Sequence, residues 1–266
     1  MWHNRPIVDL SLIAALSTAG LFFGILVFSE IGRRIGVTSL ARHAGEEEKG
    51  AGAVEGAVFG LLGLLIAFSF SGAAARFEDR RHLIVDEANA IGTAYLRLDL
   101  LPSDAQAEFK DSFRRYVDIR LATYRDQETF AASEAKRAEG TALQEEIWAK
   151  AVAASRRPEA APQAPMLLLP ALNDMIDITA TRVMATLNHP PPVVFILLAW
   201  LSLIGGLLVG YGMAVNKGRS WFHILVFAAI LSVTVYVIVD LEFPRMGLIR
   251  VDSADQVLIE LRQSMR

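Results

Sequence analysis

The sequence predicts an all-α integral membrane protein, with four transmembrane helices and a helical extramembrane domain between spans 2 and 3. Three observations carry that prediction. A mean hydropathy of +0.36 and a hydrophobic content of 53% over 266 residues are high for a water-soluble fold. Four apolar segments, at about residues 7–28, 52–75, 193–215 and 221–239, are long enough to cross a bilayer, which takes about 20 residues. No run of alternating apolar and polar residues signals a strand, and no internal repeat stands out.

Residues 1–51 hold the first span and a connecting loop. That span carries one acid, Asp9, at its edge. It is too long, and too weakly basic at its start, for a cleaved signal peptide, and it reads as a retained span.

Residues 52–101 begin with an uncharged run, "GAVFGLLGLLIAFSFSGAAA", and pass directly into "RFEDRRHLIVDEANAIGTAYLRLDLLP" with no proline or turn cluster at the change. Gly52, Gly56, Gly60, Gly63, Ala67, Ser71 and Ala74 recur every three or four residues, so they share one stripe of a helix. A small-residue stripe lets a neighbouring helix approach closely in lipid, and these glycines are predicted to serve helix packing. Beyond the membrane Phe77, Ile84, Ala88, Ile91, Tyr95 and Leu98 keep the helical period at heptad positions, with Arg81 as the single intruder. The pattern predicts one long helix that changes solvent without changing conformation, and only Gly72 and Gly92 work against it.

Residues 102–192 form the helical extramembrane domain. The polar block from 76 to 192 holds 15 of the 26 Lys and Arg and 18 of the 29 Asp and Glu. Ser103 followed by Gln106 reads as a capping box after Pro102. Phe109, Phe113, Tyr116, Val117, Leu121 and Tyr124 then recur at helical spacing. "RRPEAAPQAP", residues 156–165, is a proline-rich linker, and a helix over 167–187 ends at "NHPPP". Residues 193–241 supply spans 3 and 4, and 242–266 an amphipathic tail.

Four crossings place both termini and the central domain on one face. Near the membrane that face carries Arg5, Arg76, Arg80, Arg81, Arg182, Arg245 and Arg250, against Arg33, Arg34, Arg42, Lys49, Lys217 and Arg219 on the other. Seven against six sets no orientation by the positive-inside rule.

On the face read as opposite the small-residue stripe, span 2 presents Phe59, Leu62, Ile66 and Ser69, with Glu55 near the entrance. Two readings stand. Repeated around a symmetry axis, Glu55, Phe59, Leu62 and Ile66 would line a pore with a hydrophobic constriction and an acidic ring at its mouth. Alternatively they are lipid-facing bulk with an interfacial acid. Arg76, Arg80 and Arg81 below the span are candidates to attract anions. A set of polar residues near the membrane boundary admits a buried network or an ion path: Asp86, Glu87, Asn89, Arg97, Asn173, Asp177, Arg182, Asp240, Glu242 and Arg245. On the helix around 170–182, Asn173, Asp177 and Arg182 are predicted opposite Leu172, Ile176, Thr179 and Val183.

Several chemistries find no support. A net charge of −3 and a pI near 6.0 leave no broad basic field for nucleic acid. With no cysteine, disulfides, thiol catalysis and cysteine-ligated metal are excluded. His3, His43, His82, His189 and His223 are scattered, with no HExxH spacing, no Walker loop and no G-x-S-x-G elbow. No metal, cofactor or catalytic constellation is predicted, and the loop "RHAGEEEK" reads as solvated.

Three stretches, "DEANAIGTAYLRLDLLP" (86–102), "PALNDMIDITATR" (170–182) and "DLEFPRMGLIRVDSADQVL" (240–258), resemble the bestrophin-like membrane family of bacteria and plants, and the resemblance covers nearly the whole chain. It implies an oligomeric, four-span channel for inorganic anions such as chloride, with span 2 lining the pore. The resemblance also implies a bacterial inner membrane, with termini and helical domain in the cytoplasm. The acidic run that forms a calcium clasp after the last span of animal bestrophins is absent here, where only Asp252 and Asp255 stand. The competing expectation is a non-conducting scaffold or sensor that binds a protein partner through its helical domain. A proton-driven stator shares the plan of spans but lacks an acid in mid-membrane.

Overall fold

The computed structural model describes residues 10–42, 51–125, 130–215, 220–244 and 248–265. These are all-α, with no strand among the described residues. The helices are α1 (Leu10–Arg42), α2 (Ala51–Leu96), α3 (Ser103–Arg125), α4 (Phe130–Ala154), α5 (Ala164–Leu187), α6 (Pro192–Gly212), α7 (Trp221–Glu242) and α8 (Asp252–Ser264). Short 3-10 turns at Arg97–Leu100 and Met213–Val215 follow α2 and α6. Four stretches of helix are long and apolar enough to cross a membrane, and they fall on α1, on α2, on the stretch that contains α6, and on α7. The chain is a multi-pass membrane protein.

The contacts divide the chain into two compact units, with α2 contributing to both. The membrane unit takes described residues 10–77 and 189–249. Here α1 packs along α6 and α7, and the closest approach is made by glycines. A Cβ added to Gly32 would fall on the backbone of Leu207, and one added to Gly210 on the backbone of Ser29. One on Gly206 would lie 2.9 Å from the Ile25 side chain. Backbones so close exchange dispersion and Cα–H···O contacts that bulkier residues would forbid. The Ser29 hydroxyl donates to the Gly206 carbonyl at 2.9 Å within the same interface. Leu21, Ile25, Leu62, Ala73, Leu198, Leu201, Ala228, Leu231, Ile238 and Leu241 make the apolar core around it.

The helical unit takes described residues 78–188 and 250–265. Ile84, Ala88, Ile91 and Leu98 of the α2 continuation are buried, as the heptad reading expects, whereas Tyr95 is half-buried and its neighbour Ala94 takes the buried position. Phe109, Phe113, Tyr116 and Val117 of α3, Leu143 and Ile147 of α4, Leu168, Leu172 and Met175 of α5, and Leu258 of α8 complete its core. Tyr95 meets Phe113 edge-on with centroids 5.9 Å apart. The tail forms α8, which packs on α3 and is tied there by a two-pronged Arg262–Asp118 pair at 2.8 and 3.0 Å. Gly92 serves this packing: a Cβ there would come within 3.3 Å of Leu261.

The capping box at α3 takes another form. Gln106 donates to the carbonyl of Leu101 at 2.9 Å and to that of Asp99 at 3.4 Å. Its amide thus serves carbonyls left over by the preceding 3-10 turn. The proline-rich linker is traced by short turns, and Ala161 N–H donates to the Leu100 carbonyl at 2.9 Å.

Candidate functional site

The second span presents two faces of different character. Phe59, Leu62 and Ile66, expected on a pathway, lie on the side that packs within the membrane unit. The Phe59 ring meets Phe227 of α7 edge-on at 6.1 Å, and both rings and Leu62 border Gly205 of α6. Leu62 is 3% exposed, and Ile66 packs against the same apolar core. Bulky side chains fill the space left by the glycines of α6, which is why they turn inward. Glu55 is half-buried, with its carboxylate toward Gly212 at the end of α6.

The glycine stripe, expected to receive a neighbouring helix, is open. Gly52, Gly56, Gly60 and Gly63 are exposed, and a Cβ on any of them would meet nothing within 4 Å. Leu64 and Phe68 flank the stripe and are 52% and 69% exposed. The close glycine contacts inside the chain are instead those between α1 and α6.

Arg76, Arg80 and Arg81, read as attractors of anions, each hold a partner. Arg76 grips Glu242 at the end of α7 through Nε, at 2.9 and 3.2 Å from the two carboxylate oxygens, and through a short Nη2 contact. Gly72, one turn earlier, leaves room for the guanidinium, which a Cβ there would meet at 3.3 Å. Arg80 is buried and donates to the carbonyls of Ala185 and Asn188 at 3.1 and 3.0 Å, satisfying acceptors at the carboxyl end of α5. Arg81 pairs with Glu78 at 2.9 Å on the surface.

The polar residues resolve into separate clusters. In the membrane unit, Glu242 is enclosed and also approached by His189 Nδ1 at 3.4 Å, while the His189 ring stacks on Phe243 at 4.6 Å. Asp240 accepts from the backbone N–H of Leu248 and of Ile249, closing the turn after α7. Arg245 lies outside the described residues.

In the helical unit, Glu87 has no exposed side-chain surface and is held between Arg120, at 2.5 Å, and Arg182. A second buried polar layer lies beside it, where Gln144 donates to Tyr116 at 2.7 Å and to Thr179 at 3.0 Å. Arg182 therefore belongs to the buried seam of α5 and not to the outer face with Asn173 and Asp177, which pair with each other at 2.8 Å. Its spacing of three from Thr179 carries the signal, continuing the row Leu168, Leu172, Met175, Thr179. Arg120 escaped the sequence reading although it extends the row Phe109, Phe113, Tyr116 by one more step of four. Arg97 donates to the Leu167 carbonyl at 2.5 Å, whereas Asp86 and Asn89 are exposed.

Among the described residues no group of three acidic or histidine side chains is placed to hold a metal ion. The enclosed ion pairs are structural in geometry: each charge meets an opposite charge or backbone dipole, as burial demands. A family model described as the bestrophin-like domain matches residues 35–255. No curated protein and no solved structure matches the chain.

Proposed function

The chain belongs to the bestrophin-like domain family, and from that premise we propose that it is an oligomeric channel for inorganic anions, with α2 lining the pathway. The observation that carries this reading is the open glycine face of α2, the exposed stripe from Gly52 to Gly63 with nothing near it. A helix that keeps its smallest residues off its own bundle offers them to other copies of the chain, where close packing needs no hydrophobic force. Around a symmetry axis the same face would bring Leu64 and Phe68 toward the centre, a hydrophobic constriction of the kind that gates by dewetting. The membrane is proposed to be a bacterial inner membrane, with the helical unit and both termini in the cytoplasm.

The test is anion flux through the purified protein in liposomes, chloride against gluconate, with Leu64→Ala and Ile66→Ala beside the wild type. Selective flux that increases in Leu64→Ala alone supports a pathway along the open face. An increase in Ile66→Ala alone moves the constriction to the packed face, and no flux from folded protein overturns the channel.

A second reading, a non-conducting scaffold, is favoured by the exposed apolar side chains of the helical unit. Leu96, Met166, Met184 and Leu187 are each more than half exposed there. Under that reading Met166→Glu abolishes capture of a partner and leaves flux absent throughout.

A further inference from the structure

A hydroxyl group inside a bilayer has no bulk water to bond, and a helix usually answers it with one of its own carbonyls. Thr18 donates to the carbonyl of Ala14, Ser202 to that of Leu198 and Thr234 to that of Ile230, each at 2.8 Å and one turn back. Ser29 reaches across to Gly206 instead. Ser232 departs from this pattern. It stands midway along α7 and is 2% exposed, and its Oγ has no hydrogen-bond partner among the described residues.

The surroundings of Ser232 decide what it can take. Residues 10–28 of α1, 56–75 of α2, 192–210 of α6 and 224–235 of α7 hold no ionisable side chain. An ion at this depth would find no counter-charge, which excludes a charged ligand. A small neutral molecule that both donates and accepts meets no such objection. Ala228, one turn before Ser232, is also buried and also small, so the two make a step in a face otherwise built of Ile224, Leu231 and Ile238. A step of that depth suits a single water and nothing larger.

We infer that Ser232 holds a buried water molecule at the middle of the membrane unit. The water accepts the Ser232 hydroxyl proton and donates one of its own to the second lone pair of the Ala228 carbonyl, beside the helix bond that carbonyl already receives. A water so placed satisfies a hydroxyl that the chain leaves orphaned, and such waters are costly to remove. The site stands whether or not the protein conducts.

The test uses the full-length protein in lipid nanodiscs. The chain has no cysteine, so Ser232→Cys puts a single S–H group at the site, and Ser202→Cys puts one at a satisfied hydroxyl of comparable burial. The infrared S–H stretching band lies clear of other protein absorptions, and its loss in heavy water reports water at that sulfur. Ser232→Cys should exchange several-fold faster than Ser202→Cys. Equal rates at the two positions, fast or slow, overturn the site.

Melting gives a second readout of opposite sign for the two cases. Removing an orphaned hydroxyl is neutral or stabilising, whereas removing the anchor of a bound water is not. Ser232→Ala should therefore lower the melting temperature by about 2 °C or more. An unchanged or raised value overturns the site as well.

Discussion

At the scale of residues, three ions are buried together in the helical unit, each standing where its helix would ordinarily supply a hydrophobic side chain. Glu87 lies between Ile84 and Ile91 on the seam of α2, Arg120 follows Tyr116 on α3, and Arg182 follows Thr179 on α5. Burial removes hydration from all three, and the cost is met only while the carboxylate answers the two guanidinium groups. Glu87→Gln should therefore cost about 3–5 kcal/mol, because it leaves two arginines without their shared anion. Arg120→Met should cost less, since Glu87 keeps Arg182. Denaturant unfolding followed by far-UV circular dichroism measures both, and equal losses would show that Arg120 is the dominant partner. The polar character of these residues was legible in the sequence, but their inward direction was not read correctly for Arg182. Charge pointed outward while spacing pointed inward, and the spacing decided.

At the scale of elements, the pattern of α2 was readable because its evidence is local. Residues three and four apart stay on one side whatever the solvent, and no breaker interrupts the 46 residues from Ala51 to Leu96. Which helix meets which face was not readable. The glycines of α1 and α6 are separated by more than 170 positions, and each segment alone looks like an apolar span with scattered small residues. Only their juxtaposition shows that Gly32 meets Leu207 and Gly210 meets Ser29. The same limit holds for Phe59 and Leu62, since a bulky row suits a pore wall or a bundle interior equally well, and only the folded chain shows this one against Phe227 and Gly205. The two kinds of glycine give opposite predictions. Gly210→Ala forces a methyl against the Ser29 backbone and should destabilise by about 1–3 kcal/mol. Gly60→Ala meets nothing and should leave the fold of one chain intact, gaining up to about 1 kcal/mol of helix propensity. Thermal melting in detergent tests the pair. Cross-linking of Gly60→Leu then asks whether the open face holds other copies, and undiminished oligomers would exclude it.

At the scale of the whole molecule, the response to acid is set by exposed carboxylates paired with cations. Arg157 hydrogen-bonds Asp104 at the start of α3 and holds its carboxyl below the usual range, and Lys150 does the same to Glu146 on α4. A carboxylate lowered on folding contributes stability that is complete above its ordinary value, near 4, and is lost as pH falls through the lower folded value. Asp104→Asn should flatten the acid limb of the unfolding curve below about pH 4 and leave neutral pH nearly untouched, with an effect that fades in high salt because the pair is exposed. Denaturant midpoints between pH 2 and 6 measure it, and an unchanged limb would show the pair to be energetically silent.

The arrangement of the chain across the bilayer is the remaining question at this scale, and charge does not answer it, because the arginines and lysines close to the membrane divide almost evenly, seven against six, between the two faces. The even number of spans gives a sharper handle. With four crossings, the helical unit and α8 must share a side, while the end of α1 lies on the other. The chain has no cysteine, so single substitutions can be read without a background. Glu139→Cys on α4 and Gln256→Cys on α8 are at exposed positions, as is Thr38→Cys near the end of α1. A membrane-impermeant maleimide added to right-side-out vesicles should label Thr38→Cys and spare the other two, with inverted vesicles giving the reverse. Labelling of Glu139→Cys and Gln256→Cys from opposite sides would break the four-span topology. Labelling of both from outside would keep that topology and turn the helical unit away from the cytoplasm, moving any partner it binds to the external face.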